Sequence, residues 1–85
     1  MLIEFDEAKR AKTLQERGLD FADAGRVFAG PTLEQADDRK AYGEARNITV
    51  GMLDGRVVVL VWTPRGEVRR IISMRYANER ERQRF

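Results

Sequence analysis

The sequence contains no cysteine and no histidine. Without cysteine it has neither disulfides nor thiolate metal ligands, and without histidine it lacks the commonest general base and the commonest metal ligand. The longest apolar run is the six residues 57–62, which is far too short to span a membrane. The first residues, MLIEFDEAK, also lack the basic and apolar segments of a signal peptide. We therefore expect a soluble cytoplasmic protein with no metal site and no cofactor.

Charge is unevenly distributed along the chain. The 85 residues, 42% hydrophobic and 35% charged, predict one domain spanning residues 1–85, with a formal net charge of +2. Residues 64–85 contain seven arginines and three glutamates, whereas residues 1–63 contain nine Lys/Arg and eleven Asp/Glu. Because the guanidinium group binds phosphate through paired hydrogen bonds, the C-terminal part indicates either a polyanion site or an ordinary solvated surface.

Two turn signals predict a three-stranded antiparallel meander between residues 46 and 75. Asp54-Gly55 lies between two apolar runs and favours a type I′ hairpin turn. The tetrapeptide TPRG at residues 63–66 predicts the second turn, with Pro64 at its first central position. The middle strand, residues 57–62, is apolar at every position, so we expect it inside the sheet with both faces covered.

The N-terminal third predicts a strand followed by two helices. Residues 2–5 form the apolar strand. Asp6 is a suitable N-cap for a helix that ends at Arg17, because Gly18 can adopt the left-handed conformation that closes it. A second helix begins at Asp20 and stops before Gly30 and the proline that follows it. We expect the two helices to form a hairpin on one face of the sheet.

The remaining segments complete an α+β fold. Residues 31–36 predict a further strand, residues 37–44 a polar loop, and residues 46–53 an alternating strand. Asn78 with Glu81 forms a capping box for a short final helix. The predicted fold is therefore two N-terminal helices packed on a mostly antiparallel sheet of four to five strands, with a short C-terminal helix.

The third strand of the meander carries the arginines of interest. Strict alternation places Arg70 on one face and Arg69 with Arg75 on the other, unless a bulge intervenes. Arg46, on a neighbouring part of the sheet, could converge with this set. The alternative is that these side chains form an ordinary charged surface.

Several segments resemble the BrnT toxin family, in which strings such as LLVVVYTERG and RIISAR are characteristic. The matching segments cover nearly the whole chain in the family's order and spacing: IEFDEAK, ERGLDFADAGRVF, GEARNITVGML, GRVVVLVWTPRG and RRIISMRYANERERQRF. The resemblance implies a toxin of a type II toxin–antitoxin pair with a fold similar to RelE-type ribonucleases. It also implies that the protein cleaves RNA and forms a hetero-oligomer with a BrnA-like ribbon-helix-helix antitoxin.

The chain departs from the family pattern at two positions. Phe5 stands where relatives commonly have tryptophan, and Arg17 stands where they often have histidine before the glycine that ends the first helix. If that histidine transfers a proton in relatives, this protein must do so in another way. If it packs or caps the helix, Arg17 replaces it, because a cation near a helix C-terminus is favourable.

A metal-independent ribonuclease needs cations at the scissile phosphate and a group that removes the 2′-hydroxyl proton. We predict Arg70 and Arg75 at the phosphate with Arg46 in support, and Glu44 or Lys9 as the base. Three further arginines are predicted to bind RNA: Arg17, Arg69 and Arg80. Two other function classes remain open from the residues alone. One is a non-catalytic RNA- or ribosome-binding module, and the other is a protein-interaction subunit with a basic tail.

Overall fold

The computed structural model describes residues 2–39 and 41–85. It is an α+β fold with a five-stranded mixed sheet, three α-helices and one 3₁₀ helix. The elements follow in the order β1 (Leu2–Phe5), α1 (Glu7–Arg17), a 3₁₀ helix (Phe21–Asp23), α2 (Ala24–Ala29), β2 (Thr32–Ala36), β3 (Asn47–Leu53), β4 (Arg56–Arg65), β5 (Val68–Tyr76) and α3 (Glu79–Arg84). Along the sheet the strands lie in the order β1-β5-β4-β3-β2, with β4 in the centre as predicted.

The meander from β3 to β5 is confirmed, with one correction. Asp54 and Gly55 both have positive φ (50° and 79°), as a type I′ turn requires. The turn predicted at residues 63–66 is wrong by two residues, since β4 runs through Pro64 and the chain turns at Gly66 and Glu67. Pairing between β3 and β4 ends at Trp62, so Pro64 lies where β4 has β5 as its neighbour and its other side unpaired. Proline is tolerated at such positions.

The first strand pairs in a way that local sequence signals do not predict. β1 runs parallel to β5 and pairs from Leu2 opposite Val68 to Phe5 opposite Ile71. All the other neighbouring strands pair antiparallel, so the sheet is mixed. Beyond Ile71, β5 continues for five residues without β1 beside it.

The helix boundaries follow their capping residues. Asp6 accepts a hydrogen bond from the backbone N–H of Lys9, and Gly18 ends α1 with φ 71°. Asp20 caps the 3₁₀ helix rather than a long α-helix, so the predicted second helix is in fact two short elements. The capping box of Asn78 and Glu81 at α3 is confirmed.

One face of the sheet is covered by the 3₁₀ helix and α2, and we call it the helix-covered face. Its buried core consists of Leu19, Phe21, Ala24, Val27, Leu53, Val58, Leu60, Trp62, Ile71 and Met74. The expected packing of both N-terminal helices on this face is only partly right, since none of the described residues of α1 is buried. A two-bond ion pair between Arg10 and Asp20, at 2.7 and 2.9 Å, ties α1 to the 3₁₀ helix instead.

A bulge in β5 changes which side chains share a face. Val61 lies opposite Ser73, whereas the next residue of β4, Trp62, lies opposite Ile71, so one extra residue is inserted between them. After this insertion Arg75 faces the same side as Arg70. The prediction from strict alternation, which separated these two arginines, is therefore wrong.

The predicted loop at 37–44 lies between β2 and β3, and residues 37–39 and 41–46 are in neither helix nor strand. Its remaining residue, Lys40, lies outside the described residues. Within the described ranges, every helix is too short or too polar to cross a membrane.

Candidate functional site

The second face of the sheet, which we call the open face, forms the floor of a cleft of about 470 Å³. Register places Leu33, Val50 and Val59 side by side on this face, because directly paired residues point the same way. We name this space the open-face cleft. Its lining residues are Arg17, Leu33, Glu34, Gln35, Arg39, Ile48, Val50, Val59, Val61, Ser73, Arg75, Glu81 and Arg84. The cleft thus combines an aliphatic floor with four arginines.

β3 presents Ile48 and Val50 to the cleft rather than to the helices. Ile48 and Val50 line the cleft, while Thr49 and Gly51 lie on the helix-covered face. The buried Thr49 hydroxyl accepts a hydrogen bond from the Trp62 indole at 2.8 Å and donates one to Glu34 at 3.0 Å. An aliphatic open face therefore results from the same alternation that lets α2 approach the opposite side closely.

Arg75 projects from β5 and is held by a carboxylate of α3. Its two terminal nitrogens, Nη1 and Nη2, each donate to one oxygen of Glu81 at 2.8 Å. This pair of hydrogen bonds from Arg75 is the main cause that lowers the pKa of Glu81 to about 2. The capping box fixes Glu81 from its other side, because its carboxylate also accepts from the Asn78 backbone N–H at 2.9 Å.

Arg39 approaches the cleft from the loop after β2, and a second carboxylate holds it. Its Nε and Nη2 donate to the two oxygens of Asp37 at 2.7 and 2.9 Å. The Asp37 side chain is fully inaccessible to solvent, whereas that of Arg39 is 67% exposed. Hydrogen bonds to Glu81 raise the pKa of Arg75, while repulsion from the Arg39 charge acts in the opposite direction. Both guanidinium groups therefore line one cleft, where each carries its own carboxylate partner.

Arg17 reaches the cleft from the end of α1. Its Nη1 donates to the backbone carbonyl of Met74 at 2.9 Å, on the part of β5 that β1 leaves unpaired. Arg17 therefore donates a hydrogen bond to a carbonyl that no neighbouring strand pairs on this side, and it places a positive charge at the rim of the cleft.

The structure brings only two of the predicted site residues, Arg75 and Arg17, into the lining of the cleft. Arg70 shares the open face but lies opposite Thr63, four residues along β4 from the residue opposite Arg75. Because a strand rises about 3.3 Å per residue, these two positions lie about 13 Å apart along β4. Arg70 contacts Glu4 of β1 at 3.4 Å.

Arg46 and Glu44 form a separate cluster beside the cleft. The Arg46 guanidinium stacks on the Tyr42 ring at 3.8 Å and contacts Glu44 at 3.4 Å, and Glu44 also lies 3.8 Å from Arg65. The Tyr42 hydroxyl donates to Asp37, so this cluster adjoins the carboxylate that holds Arg39.

The other predicted residues lie elsewhere on the molecule. Lys9 is exposed on α1, and Arg80 is exposed on α3. Arg69 lies on the helix-covered face, where its guanidinium stacks 4.3 Å from the Phe28 ring and 4.7 Å from the Trp62 ring. The geometry therefore separates Arg69 from Arg70, as alternation of neighbouring residues predicts.

Sequence reasoning missed three charged residues of the cleft: Arg39, Glu81 and Arg84. Arg39 lies in a loop, where no periodicity marks the direction of a side chain. Glu81 was interpreted only as a capping residue. The spacing of three between Glu81 and Arg84 was the available signal, because it places both on one face of a helix.

A metal centre has no support in the described part of the chain. Residues 2–39 and 41–85 contain no cluster of three or more Asp, Glu, His or Cys side chains that could hold a metal ion. The charged side chains of the cleft are guanidinium and carboxylate groups.

Comparison with protein families gives one match. The model of a family described as "Ribonuclease toxin, BrnT, of type II toxin-antitoxin system" matches residues 5–81. That range contains β2 to β5, the last residue of β1, three of the four cleft arginines and Glu81. A comparison with curated proteins gives no match.

Proposed function

Because this chain belongs to the BrnT family of ribonuclease toxins of type II toxin–antitoxin systems, we propose that the open-face cleft is its RNA-cleaving site. The observation that carries the proposal is the set of four guanidinium groups around one aliphatic floor. A phosphodiester drawn between Arg39 and Arg75 would relieve the repulsion between these two cations. We further propose that the domain, residues 1–85, cleaves RNA as an endonuclease without a metal ion.

The proposed chemistry is electrostatic stabilisation of the phosphorane transition state. Negative charge develops on the non-bridging phosphate oxygens as the 2′-oxygen attacks, and preorganised donors aimed at such charge usually supply the largest part of catalysis. Arg39 is fixed by two hydrogen bonds to the Asp37 carboxylate, so little reorganisation is needed to direct its charge. Glu81 holds Arg75 in the cleft in the free protein. Arg17 and Arg84 would hold neighbouring phosphates.

Arg46 and Arg70 keep a supporting role in the proposal. Arg70 lies on the open face, opposite Thr63, and the Thr63 hydroxyl donates to the carbonyl of Ala45, next to Arg46 in the chain. In the proposal both arginines would contact RNA that leaves the cleft at this end. Glu44 accompanies Arg46 there, whereas Lys9 on α1 and Arg80 on α3 would contact RNA only beyond the cleft.

The proposed partner is a ribbon-helix-helix antitoxin that acts in the cytoplasm. A cleft with an aliphatic floor and a cationic rim fits a segment that carries both apolar and acidic residues. Such a segment would cover the same arginines that bind RNA, and the toxin would then be inhibited by simple occlusion.

Substitution of Arg75 tests the proposed site. We expect Arg75→Ala to lower the rate of RNA cleavage by about 10²–10³-fold, because one transition-state donor is lost. The measurement is single-turnover cleavage of a labelled RNA, with circular dichroism to verify folding. Arg56→Ala is the matched control, since Arg56 stacks on Tyr76 on the other face of the sheet. Wild-type cleavage by a folded Arg75→Ala protein would contradict the assignment.

Chelation tests the proposed independence from metal. Cleavage by the wild-type protein should persist after dialysis against EDTA. Loss of cleavage on chelation, with recovery when Mg²⁺ is added, would contradict this part of the proposal and leave the ribonuclease assignment intact.

A further inference from the structure

Glu81 occupies the positions on Arg75 that a phosphate would take. Both terminal nitrogens of Arg75 donate to the Glu81 carboxylate, and a phosphate binds the same fork of N–H groups with the same geometry. RNA can make this two-bond contact with Arg75 only if Glu81 gives it up. The released carboxylate would then lie beside the phosphate that replaced it.

The element that carries Glu81 is loosely attached. None of the described residues of α3 is buried, and the side chains of Arg75 and Glu81 remain 42% and 26% exposed. A hydrogen bond from Arg82 to the Ala77 carbonyl at 3.0 Å and the capping box hold the start of the helix. The hydrogen bond from the Glu81 backbone N–H to Asn78 and that from Arg82 to Ala77 do not involve the Glu81 carboxylate, so the carboxylate could move without melting of α3.

We propose that Glu81 is the general base of RNA cleavage and that RNA binding itself activates it. The inference rests on the proposed function of the open-face cleft. In the proposed step, Arg75 transfers its two hydrogen bonds from Glu81 to the scissile phosphate. Glu81 then removes the proton of the 2′-hydroxyl, the 2′-oxygen forms a bond to phosphorus, and the bond from phosphorus to the 5′-oxygen breaks. Water protonates the departing 5′-oxygen, and Glu81 returns its proton to solvent.

The charges around Glu81 explain why it becomes a stronger base when Arg75 leaves it. The charged side chains that share the cleft with it are Arg75 of β5, Arg17 of α1, Arg84 of α3 and Arg39 of the loop. Glu34 of β2 also borders the cleft, but its carboxylate accepts a hydrogen bond from Thr49 on the helix-covered face. In the free protein Arg75 holds the pKa of Glu81 at about 2, which makes the carboxylate a weak base. When Arg75 turns to the phosphate, the Glu81 pKa rises towards the ordinary value of about 4.3, and its basicity increases accordingly.

Glu81→Gln tests the proposal, because glutamine can replace glutamate in a capping box but cannot accept the proton. We expect kcat to fall by about 10²–10⁴-fold, the usual contribution of a general base. Affinity should be unchanged or several-fold tighter, because an internal competitor for Arg75 is removed. The affinity probe is a single-stranded RNA with one 2′-deoxy nucleotide at the mapped cleavage position. Glu79→Gln is the matched control, since Glu79 lies in the same helix and pairs with Arg82.

The outcomes separate this proposal from its rivals. Wild-type or raised kcat in Glu81→Gln would overturn it, and a raised value would mean that Glu81 only blocks the cleft. Loss of kcat in Glu44→Gln with retention in Glu81→Gln would assign the base to Glu44 and would also overturn it. If the wild-type protein does not cleave RNA at all, the proposed function fails instead.

The pH profile of the wild-type protein gives a second test that needs no variant. The kcat profile reports the enzyme–substrate complex and the kcat/KM profile reports the free protein. We expect kcat to fall to half near pH 4.3, approximately the pKa of an unpaired glutamate, while kcat/KM stays level to lower pH. A kcat that does not change between pH 6 and pH 3.5 would overturn the proposal.

Discussion

Asp37 shows how a single buried carboxylate can set the position of an exposed cation. Its side chain is fully inaccessible, yet it holds the two nitrogens of Arg39 and also accepts a hydrogen bond from Tyr42. Hydrogen bonds from Arg39 lower the pKa of Asp37, so the carboxylate stays ionised at neutral pH. The backbone N–H of Asp37 also bonds the Arg46 carbonyl at 2.8 Å, which joins the two ends of the loop.

Asp37→Asn should therefore reduce cleavage by about tenfold or more. The amide can accept only one of the two hydrogen bonds, and a charge-assisted bond contributes about 1.5–3 kcal/mol. We expect kcat to fall and affinity to stay the same, because the Arg39 charge remains but its guanidinium group is no longer held in one orientation. Asp38→Asn is the control, since Asp38 is the exposed neighbour in the same loop. Wild-type kcat in folded Asp37→Asn protein would show that Arg39 needs no such support.

The sequence was sufficient for part of the site. Arg75 and Arg17 could be chosen because each lies at a recognisable point, a strand of alternating residues and a helix C-terminus. The carboxylate partners of Arg75 and Arg39 could not be predicted, because both ion pairs depend on side chains that only the tertiary structure brings together. The bulge in β5 could not be predicted either, although its inserted residue is what turns Arg75 to the same face as Arg70.

At the level of elements, the contact between α2 and β3 leaves no room for a side chain at Gly51. A Cβ atom there would lie 2.7 Å from a methyl group of Val27 and 3.2 Å from one of Thr32. Val27 is fully buried, so it cannot move away without disturbing the core. The glycine thus allows a short helix to lie directly on the strand whose other face forms the cleft.

Gly51→Ala should destabilise the fold by about 1–3 kcal/mol, the usual cost of overpacking a core. Gly25→Ala is the matched control in α2, because a Cβ atom at Gly25 has no neighbour within 4 Å among the described residues. That change should stabilise the protein by up to about 1 kcal/mol, since alanine is the better helix former. Urea unfolding followed by circular dichroism measures both. Equal stability of the two variants would mean that the backbone of β3 shifts easily.

Elements were predictable where their signals are local. The hairpin at Asp54-Gly55 and the caps at Asp6, Gly18 and Asn78 needed only neighbouring residues. The parallel pairing of β1 with β5 joins residues more than sixty positions apart, and no local pattern encodes it. The turn after β4 was misplaced because proline is typical both of turns and of unpaired strand segments.

On the scale of the whole molecule, the arginines of residues 64–85 pair both with acids from elsewhere in the chain and with glutamates of the same segment. Arg70 pairs with Glu4 of β1, and Arg65 approaches Glu44 of the loop. Arg75 and Arg82 pair with glutamates of α3. The uneven charge of the sequence therefore does not give one basic half. The open-face cleft contains four arginines and one acid whose side chain shares its face, Glu81, so the positive field of the molecule is concentrated there.

This distribution predicts a modest salt dependence of RNA binding. Each phosphate neutralised on a single strand contributes about −0.7 to the slope of log K against log salt concentration. Contacts to two or three phosphates in the cleft should give a slope of about −1.5 to −2. Arg84→Ala should make the slope shallower by about 0.7, whereas Arg56→Ala on the other face should leave it unchanged. The measurement is binding of the 2′-deoxy-substituted RNA between 50 and 300 mM salt. An equal effect of the two substitutions would mean that RNA follows the general charge of the surface rather than the cleft.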